Sequence, residues 1–127
     1  MKYIEEFNKS YCVKISMYEC KYYELKEMAD NLDVSLKKLA NKSIKLALVD
    51  YEKNKVIKCC NEIRIIDDEQ LKKYSFKIKE KYYELLKEIS DLYDIKIKEL
   101  VRNIIMYYPT IIKKREEESF KIIADWY

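Results

Sequence analysis

An internal repeat constrains the fold of this 127-residue chain more than any other feature. The segment YYELKEMADNLDVSLKKLA, residues 22–40, returns as YYELLKEISDLYDIKIKELV, residues 82–101. Sliding the chain over itself by 61 positions needs no gap, and core-like residues then match in kind, such as Met28 with Ile89 and Val34 with Ile95. Two copies of one supersecondary unit are the economical explanation of such a pattern.

Each copy begins with a strictly alternating segment. Apolar residues occupy every second position, at Val13, Ile15 and Met17 in the first copy and at Tyr74, Phe76 and Ile78 in the second. The residues between them are Lys14, Ser16 and Tyr18 in the first copy and Ser75, Lys77 and Lys79 in the second. A period of two predicts a β-strand with one buried side.

The period then changes to that of two amphipathic helices in each copy. Apolar residues step by three and four up to a break at Asp33 and Asp94, and a second stripe begins at Leu36 and Ile97. Ser35 occupies the N-cap position of that second helix. Aspartate in the break is compatible with a positive φ, which few residues other than glycine tolerate. Each unit is therefore predicted to be strand, helix, turn and helix.

One such unit cannot fold alone, because its strand has unpaired edges and its helices have little to cover. Two units solve both problems if their strands pair antiparallel and four helices cover the apolar side. The predicted fold is mainly α with one two-stranded antiparallel ribbon. The predicted segments are an N-terminal arm, 1–12, a first unit, 13–52, a connector, 53–73, a second unit, 74–108, and a helical tail, 109–127.

The segment KISMYECKYYELKEMADNLDVSLKKLANKSIKLAL resembles the ribbon-helix-helix (MetJ/Arc-like) transcriptional regulators, which are ordinarily homodimers of one unit. With both units in one polypeptide, the chain is similar to the tandem regulators of hyperthermophilic archaeal viruses, and its glycine-free composition suits that source. The resemblance implies an intramolecular pseudo-dimer. It further implies a sequence-specific double-stranded DNA-binding protein that regulates transcription, as a repressor or an activator. Such a protein would work inside the cell, in the host cytoplasm if viral.

The resemblance also implies which residues contact DNA. The outward side of the ribbon enters the major groove, so the expected base-reading residues are Lys14, Ser16, Tyr18, Ser75, Lys77 and Lys79. The starts of the second helices are expected to bind phosphates, through Ser35, Leu36 and Lys37 in one unit and Lys96, Ile97 and Lys98 in the other. These residues differ between the halves, which predicts an asymmetric or imperfectly palindromic site. Without the resemblance, the strand lysines are explained equally well as solvated edge residues that discourage aggregation.

The composition argues against several other classes. Histidine and glycine are absent and no nucleophile motif occurs, so we expect no enzyme, cofactor, metal site or small-molecule substrate. No apolar run approaches the roughly 20 residues that span a bilayer, so no membrane partner is expected. The cysteines, Cys12, Cys20, Cys59 and Cys60, form no C-x-x-C pair. Reduced thiols are favoured, and a disulfide involving Cys12 or Cys20 is the alternative.

Three segments lie outside the repeat. Residues 1–12 form either an arm or a short helix, and the connector either packs on the core or offers a third helix to a partner. The only proline, Pro109, predicts the first turn of a new helix. That tail either covers the core of the domain or joins two molecules as a homo-oligomer, which is favoured. The alternative function is a protein–protein interaction module or an antitoxin-like protein that neutralises a partner through its tail.

Overall fold

The computed structural model describes residues 9–57 and 71–126, with side chains of the last helix up to Arg115. The described chain is mainly helical and contains one two-stranded sheet, as the sequence predicts. The elements in chain order are β1 (Ser10–Tyr18), α1 (Glu19–Asn31), α2 (Leu36–Asn54), β2 (Leu71–Lys79), α3 (Glu80–Leu92) and α4 (Ile97–Trp126). The predictions for the arm, up to residue 8, and for residues 58–70 of the connector lie outside the described residues.

The strands β1 and β2 pair antiparallel over their whole length, from Ser10 opposite Lys79 to Tyr18 opposite Leu71. The apolar alternating residues lie on one side of the ribbon, where all except the half-buried Tyr74 are fully buried. Both strands begin three residues earlier than the alternation at 13 and 74 predicts. The ladder continues there because it joins backbone groups, which do not depend on the side-chain pattern.

The break between the two helices has the same hydrogen-bonding pattern in both halves. Asp33 and Asp94 have φ of 55° and 54°. The amide of Val34 donates to the carbonyl of Ala29 at 3.0 Å, and the amide of Ile95 donates to that of Ser90 at 2.9 Å. A left-handed residue followed by this bond is the Schellman motif, in which glycine is the usual residue. Aspartate replaces glycine here, as the sequence predicts.

The four helices cover the buried side of the ribbon. The helix α2 packs against β2, α4 packs against β1, and α2 and α4 pack against each other. The hydroxyl of Tyr108 in α4 donates to a carboxylate oxygen of Asp50 in α2 at 2.9 Å. Each second helix thus contacts the strand from the other half of the chain. The halves share one core, which contains Ile44 and its counterpart Ile105.

The prediction that Pro109 begins a new helix is wrong, because α4 continues through it from Ile97 to Trp126. Proline inside a helix removes one backbone hydrogen bond and costs about 3 kcal/mol in an exposed helix. Here Tyr108 and Pro109 are both buried against the core, and that burial offsets the cost. In the described part of the chain, no helix combines the length and the hydropathy needed to cross a bilayer.

Candidate nucleic-acid interface

The outward face of the ribbon, defined as the side opposite the core, contains every second residue of both strands. It includes the six predicted base-reading residues, of which Lys14, Ser75, Lys77 and Lys79 are exposed while Ser16 and Tyr18 are half-buried. The longer strands add four residues that the sequence did not predict: Ser10, Cys12, Leu71 and Lys73. None of the ten carries a carboxylate.

Lysines are spread evenly along this face. The register pairs Lys79 with Ser10, Lys77 with Cys12, Lys14 with Ser75 and Lys73 with Ser16, and the last outward pair is Tyr18 with Leu71. Four successive outward pairs therefore each contain one lysine, spaced about 7 Å apart along the ribbon. In the described chain, the two ion pairs are Lys21–Glu24 and Lys72–Glu19, so neither neutralises an outward-face lysine.

Lys72, which precedes Lys73 in β2, is a strand lysine that does form an ion pair. Its ammonium group donates to a carboxylate oxygen of Glu19 at 2.8 Å, and this hydrogen bond raises the pKa of Lys72. Lys72 pairs with Met17 near the end of the ribbon, so it belongs to the core side and not to the outward face. Glu19, the acidic partner of Lys72, therefore pairs with a lysine of the core side of the ribbon. It leaves the lysines of the outward face free to contact a ligand.

The start of α2 forms the first predicted phosphate site. The Ser35 hydroxyl accepts a hydrogen bond from the Lys38 amide at 3.1 Å, which confirms Ser35 as the N-cap. Leu36 packs its side chain towards the core and Lys37 is exposed. Because the first amides of a helix lack intrahelical acceptors, the backbone at Leu36 and Lys37 can donate to an anion.

The start of α4 is built differently. Lys96 stands where the first copy has Ser35, and lysine has no acceptor with which to cap a helix. The amide of Glu99, whose counterpart in α2 donates to the Ser35 hydroxyl, donates instead to the carbonyl of Lys96 at 3.0 Å. That carbonyl also accepts from the amide of Leu100 at 3.1 Å, as the Ser35 carbonyl accepts from Leu39. Lys96 and Lys98 are exposed and Ile97 is half-buried. The site retains two cations, but Glu99 places a carboxylate in its first turn.

Asn41 joins α2 to the ribbon, a role that the sequence did not predict. Its side-chain amide donates to the carbonyls of Lys77 and Lys37, both at 2.9 Å, and its side-chain oxygen accepts from the Lys79 amide at 3.0 Å. Only 6% of Asn41 is exposed. The sequence feature that could have predicted this role is the position of Asn41 beside the apolar stripe of α2, because a buried side-chain amide needs hydrogen-bond partners.

These elements enclose a cationic groove, which we call the α2 groove. It has a volume of about 380 Å³ and is lined by Ser35, Lys37, Lys38, Asn41, Lys42, Lys45, Lys79 and Tyr82. The ammonium group of Lys79 lies 5.8 Å from the centre of the Tyr82 ring. Lys79 belongs both to this groove and to the outward face, so the two cationic surfaces are continuous. Lys38, Lys42 and Lys45 were not among the predicted site residues.

A second cavity, of about 270 Å³, is largely apolar and lies at the opposite end of α2. It is lined by Tyr51, Lys55, Val56, Ile57, Ile89, Tyr93, Ile95, Leu100 and Asn103. The rings of Tyr51 and Tyr93 meet edge to face with their centres 6.2 Å apart, and hydrogen bonding to Tyr93 together with desolvation raises the pKa of Tyr51. Leu92, at 70% exposure, is a neighbouring apolar residue that faces solvent.

The described residues contain no cluster of three or more side chains able to hold a metal ion. Cys12 and Cys20 are both exposed, and Cys59 and Cys60 lie outside the described part of the chain. The arrangement that the structure does contain is a ridge of lysines and hydroxyls beside a helix start, a geometry suited to a polyanion. A scan against protein-family models, a search of curated proteins and a search of solved structures each found no match.

Proposed function

We propose that this protein is a sequence-specific double-stranded DNA-binding regulator of transcription, built as a pseudo-dimer of two ribbon-helix-helix units. The observation that carries the proposal is the outward face of the ribbon. It has a lysine in each of four successive outward pairs and no carboxylate, although the chain contains 23 aspartate and glutamate residues. A ridge of two strands with this spacing matches the width of the major groove.

The register of the ribbon supports the pseudo-dimer. If the two units, 61 positions apart in sequence, are related by a two-fold axis, one residue of β1 must pair with the equivalent residue of β2. Each pair on one side of it must then become a pair on the other side when both residues are replaced by their equivalents. Lys14 lies opposite its counterpart Ser75. The pairs Val13–Phe76 and Ile15–Tyr74 exchange under the same shift. The contacts of α2 with β2 and of α4 with β1 are those expected of two intertwined subunits.

In the proposed complex, the outward side chains read base edges. Lysine donates to the N7 and O6 acceptors of guanine, and serine and tyrosine hydroxyls adapt to either donors or acceptors. The six base-reading residues are Lys14, Ser16, Tyr18, Ser75, Lys77 and Lys79. Lys73 is a further candidate, because it lies on the same face opposite Ser16. The starts of α2 and α4 contact phosphates on either side of the ribbon and fix its position in the groove.

The proposal is tested by footprinting on the DNA that flanks the gene of this protein, at about 50 mM and about 200 mM salt. We expect one protected site, with affinity that falls steeply with salt because phosphate contacts release counterions. Replacing Lys14, Lys77 and Lys79 together by alanine should lower the affinity for that site by at least about 100-fold, since each base contact contributes about 1–3 kcal/mol.

The matched control replaces Lys26, Lys53 and Lys87 by alanine, which removes the same charge from exposed helical positions outside both cationic surfaces. This variant should bind within a few-fold of the unchanged protein. Circular dichroism should show that both variants remain folded. Specific binding that survives the loss of the three ribbon lysines, or affinity that is flat in salt, contradicts the proposal.

A protein–protein interaction module is the second candidate, and one observation favours it. Three exposed apolar residues, Leu92, Tyr93 and Ile95, lie at the α3–α4 turn, beside the apolar cavity. Exposed apolar residues next to such a cavity are typical of a binding surface. A folded protein that protects no duplex at either salt concentration would favour this candidate, whether as an interaction module or as an antitoxin-like protein.

A further inference from the structure

The two phosphate sites of the proposed pseudo-dimer are unequal. The α2 groove is lined by five lysines and no carboxylate. Shifting its residues by 61 positions gives the corresponding surface of the other half. There Lys38 is replaced by Glu99, Lys42 by Asn103, Lys45 by Met106 and Lys79 by Tyr18. The α4 surface has cations of its own at Lys96, Lys98, Arg102 and Lys21, of which Lys21 is paired with Glu24, but none of them continues the row of Lys38, Lys42 and Lys45 along the helix. The α2 surface therefore has five cations and no carboxylate, against four cations and one carboxylate at α4, and a row of lysines along the helix is present at α2 only.

The lysines of the α2 groove form an ordered row. Lys38, Lys42 and Lys45 are spaced by four and three residues, so they lie on one face of α2. At a rise of about 1.5 Å per residue, the row extends roughly 10 Å along the helix, away from its start. All three are exposed, and within the described residues no ion pair neutralises them. The row is long enough to reach more phosphate groups than the first turn alone.

The backbone under this row is held in position. Asn41 lies between Lys38 and Lys42, and two of its hydrogen bonds join this turn of α2 to Lys77 and Lys79 of the ribbon. The lysine row is therefore held at a set distance from the strand that would enter the groove. The counterpart of Asn41 is Arg102, whose buried Nε has no hydrogen-bond partner among the described residues. The attachment of α4 to β1 does not reproduce that of α2 to β2.

We propose that the α2 groove is a one-sided anchor for the DNA backbone. It would bind phosphates that flank the site read by the ribbon, on the α2 side only, and so determine which way the pseudo-symmetric molecule lies on its operator. A homodimer has no means of choosing between two orientations, whereas a fused pair with unequal clamps does. This inference rests on the proposed DNA-binding function and adds to it a direction and an extended contact.

The test compares three proteins on the duplex that the unchanged protein protects. The groove variant carries Lys38→Gln, Lys42→Gln and Lys45→Gln, and the control carries Lys26→Gln, Lys53→Gln and Lys87→Gln. Hydroxyl-radical footprints should show an extension on one flank with the unchanged protein and the control, and its disappearance with the groove variant. The slope of log affinity against log salt should fall by up to about 2.7 in the groove variant, at about 0.9 for each phosphate that is no longer neutralised.

A reciprocal variant tests the same idea without removing anything from the groove. Glu99→Lys combined with Asn103→Lys gives α4 two of the cations that it lacks. We expect protection to extend onto the second flank and the salt slope to steepen by up to about 1.8. Footprints that are symmetric in the unchanged protein, or groove and control variants that behave alike, overturn the anchor alone. Failure of the unchanged protein to protect any duplex overturns the proposed function itself.

Discussion

Asn41 is the residue whose role depends most on its surroundings. Two of its hydrogen bonds go to the outer edge of β2, where the backbone groups of Lys77 and Lys79 have no third strand to pair with. A side-chain amide supplies the donor and the acceptor that a neighbouring strand would supply. This closes part of one ribbon edge, and exposed strand edges otherwise favour aggregation.

Replacing Asn41 by alanine should lower the free energy of unfolding by about 1–3 kcal/mol, because it removes the side-chain partner of the partly buried backbone groups of Lys77 and Lys79. Urea denaturation measures the change. The control is Ser43→Ala, which removes a buried hydroxyl whose hydrogen bond goes only to the carbonyl of Leu39, one turn earlier in the same helix. We expect the control to change stability by less than about 1 kcal/mol. Equal effects would show that Asn41 does not join the helix to the ribbon.

At the scale of elements, α2 and α4 are the pair on which the rest of the fold depends. Each packs on the strand of the other half, and their mutual contact lies across the shared core. A polar link between them runs from the hydroxyl of the buried Tyr108 to Asp50. A hydrogen bond to a charged acceptor is stronger than one between neutral groups. This hydrogen bond fixes how far α2 and α4 are shifted along each other, which apolar packing alone would determine less closely.

Replacing Tyr108 by phenylalanine should lower the free energy of unfolding by about 1.5–3 kcal/mol, since it removes a hydrogen bond to a carboxylate and keeps the ring. The matched control is Tyr107→Phe, at a half-buried neighbouring position. We expect its effect to stay below about 1 kcal/mol in the same thermal or urea denaturation. If both variants lose the same stability, the link to Asp50 contributes nothing beyond the packing of the Tyr108 ring.

At the scale of the whole molecule, the tail has two parts with different surroundings. Tyr108 and Pro109 are buried and Ile111 packs against the core, so the first turns of the tail belong to the domain. Beyond Arg115 the structure describes only the helical backbone. The prediction of a homo-oligomer formed through 109–127 remains a prediction, and it now concerns the part of the helix after Arg115.

A chain that ends at Arg115 separates folding from assembly, whereas one that ends near Tyr108 would remove residues packed on the core. If the last turns of α4 join two molecules, sedimentation velocity should show the full-length protein as a larger species than the shortened chain at the same concentration. Circular dichroism should show that the shortened chain stays folded. Identical sedimentation of both chains as monomers would contradict an oligomer formed through this segment.

Much of the fold could be predicted from the sequence, because it is encoded by short-range patterns. The alternation around Ile15 and Phe76 predicted the strands, and the change of period predicted the helices and their break. Asp33 and Asp94 have positive φ and Ser35 is the N-cap, as expected from the preferences of these residue types, whereas the positive φ of Lys55 was not predicted. The prediction from Pro109 was wrong because the preference of proline for the first turn of a helix is a local property. The burial of Pro109 against the core, which stabilises it inside a helix, depends on the tertiary structure.

The candidate site likewise has one part that the sequence predicts and one part that it does not. The six outward residues follow from strand parity, which can be counted along the sequence. The α2 groove does not, because Lys79 and Lys42 meet only after β2 has folded back across a long connector onto α2. The hydrogen bonds of Asn41 to Lys77 and Lys79 likewise join residues far apart in the chain.

The sequence by itself determined the unit, its repetition and the side of each strand that turns away from the core. Those properties depend on backbone geometry within a few residues, where periodicity and residue preference decide. The tertiary structure alone decided the strand register, the crossing of each second helix to the opposite strand and the unequal clustering of lysines. These depend on contacts between distant parts of the chain, where packing and burial of polar groups determine which elements meet.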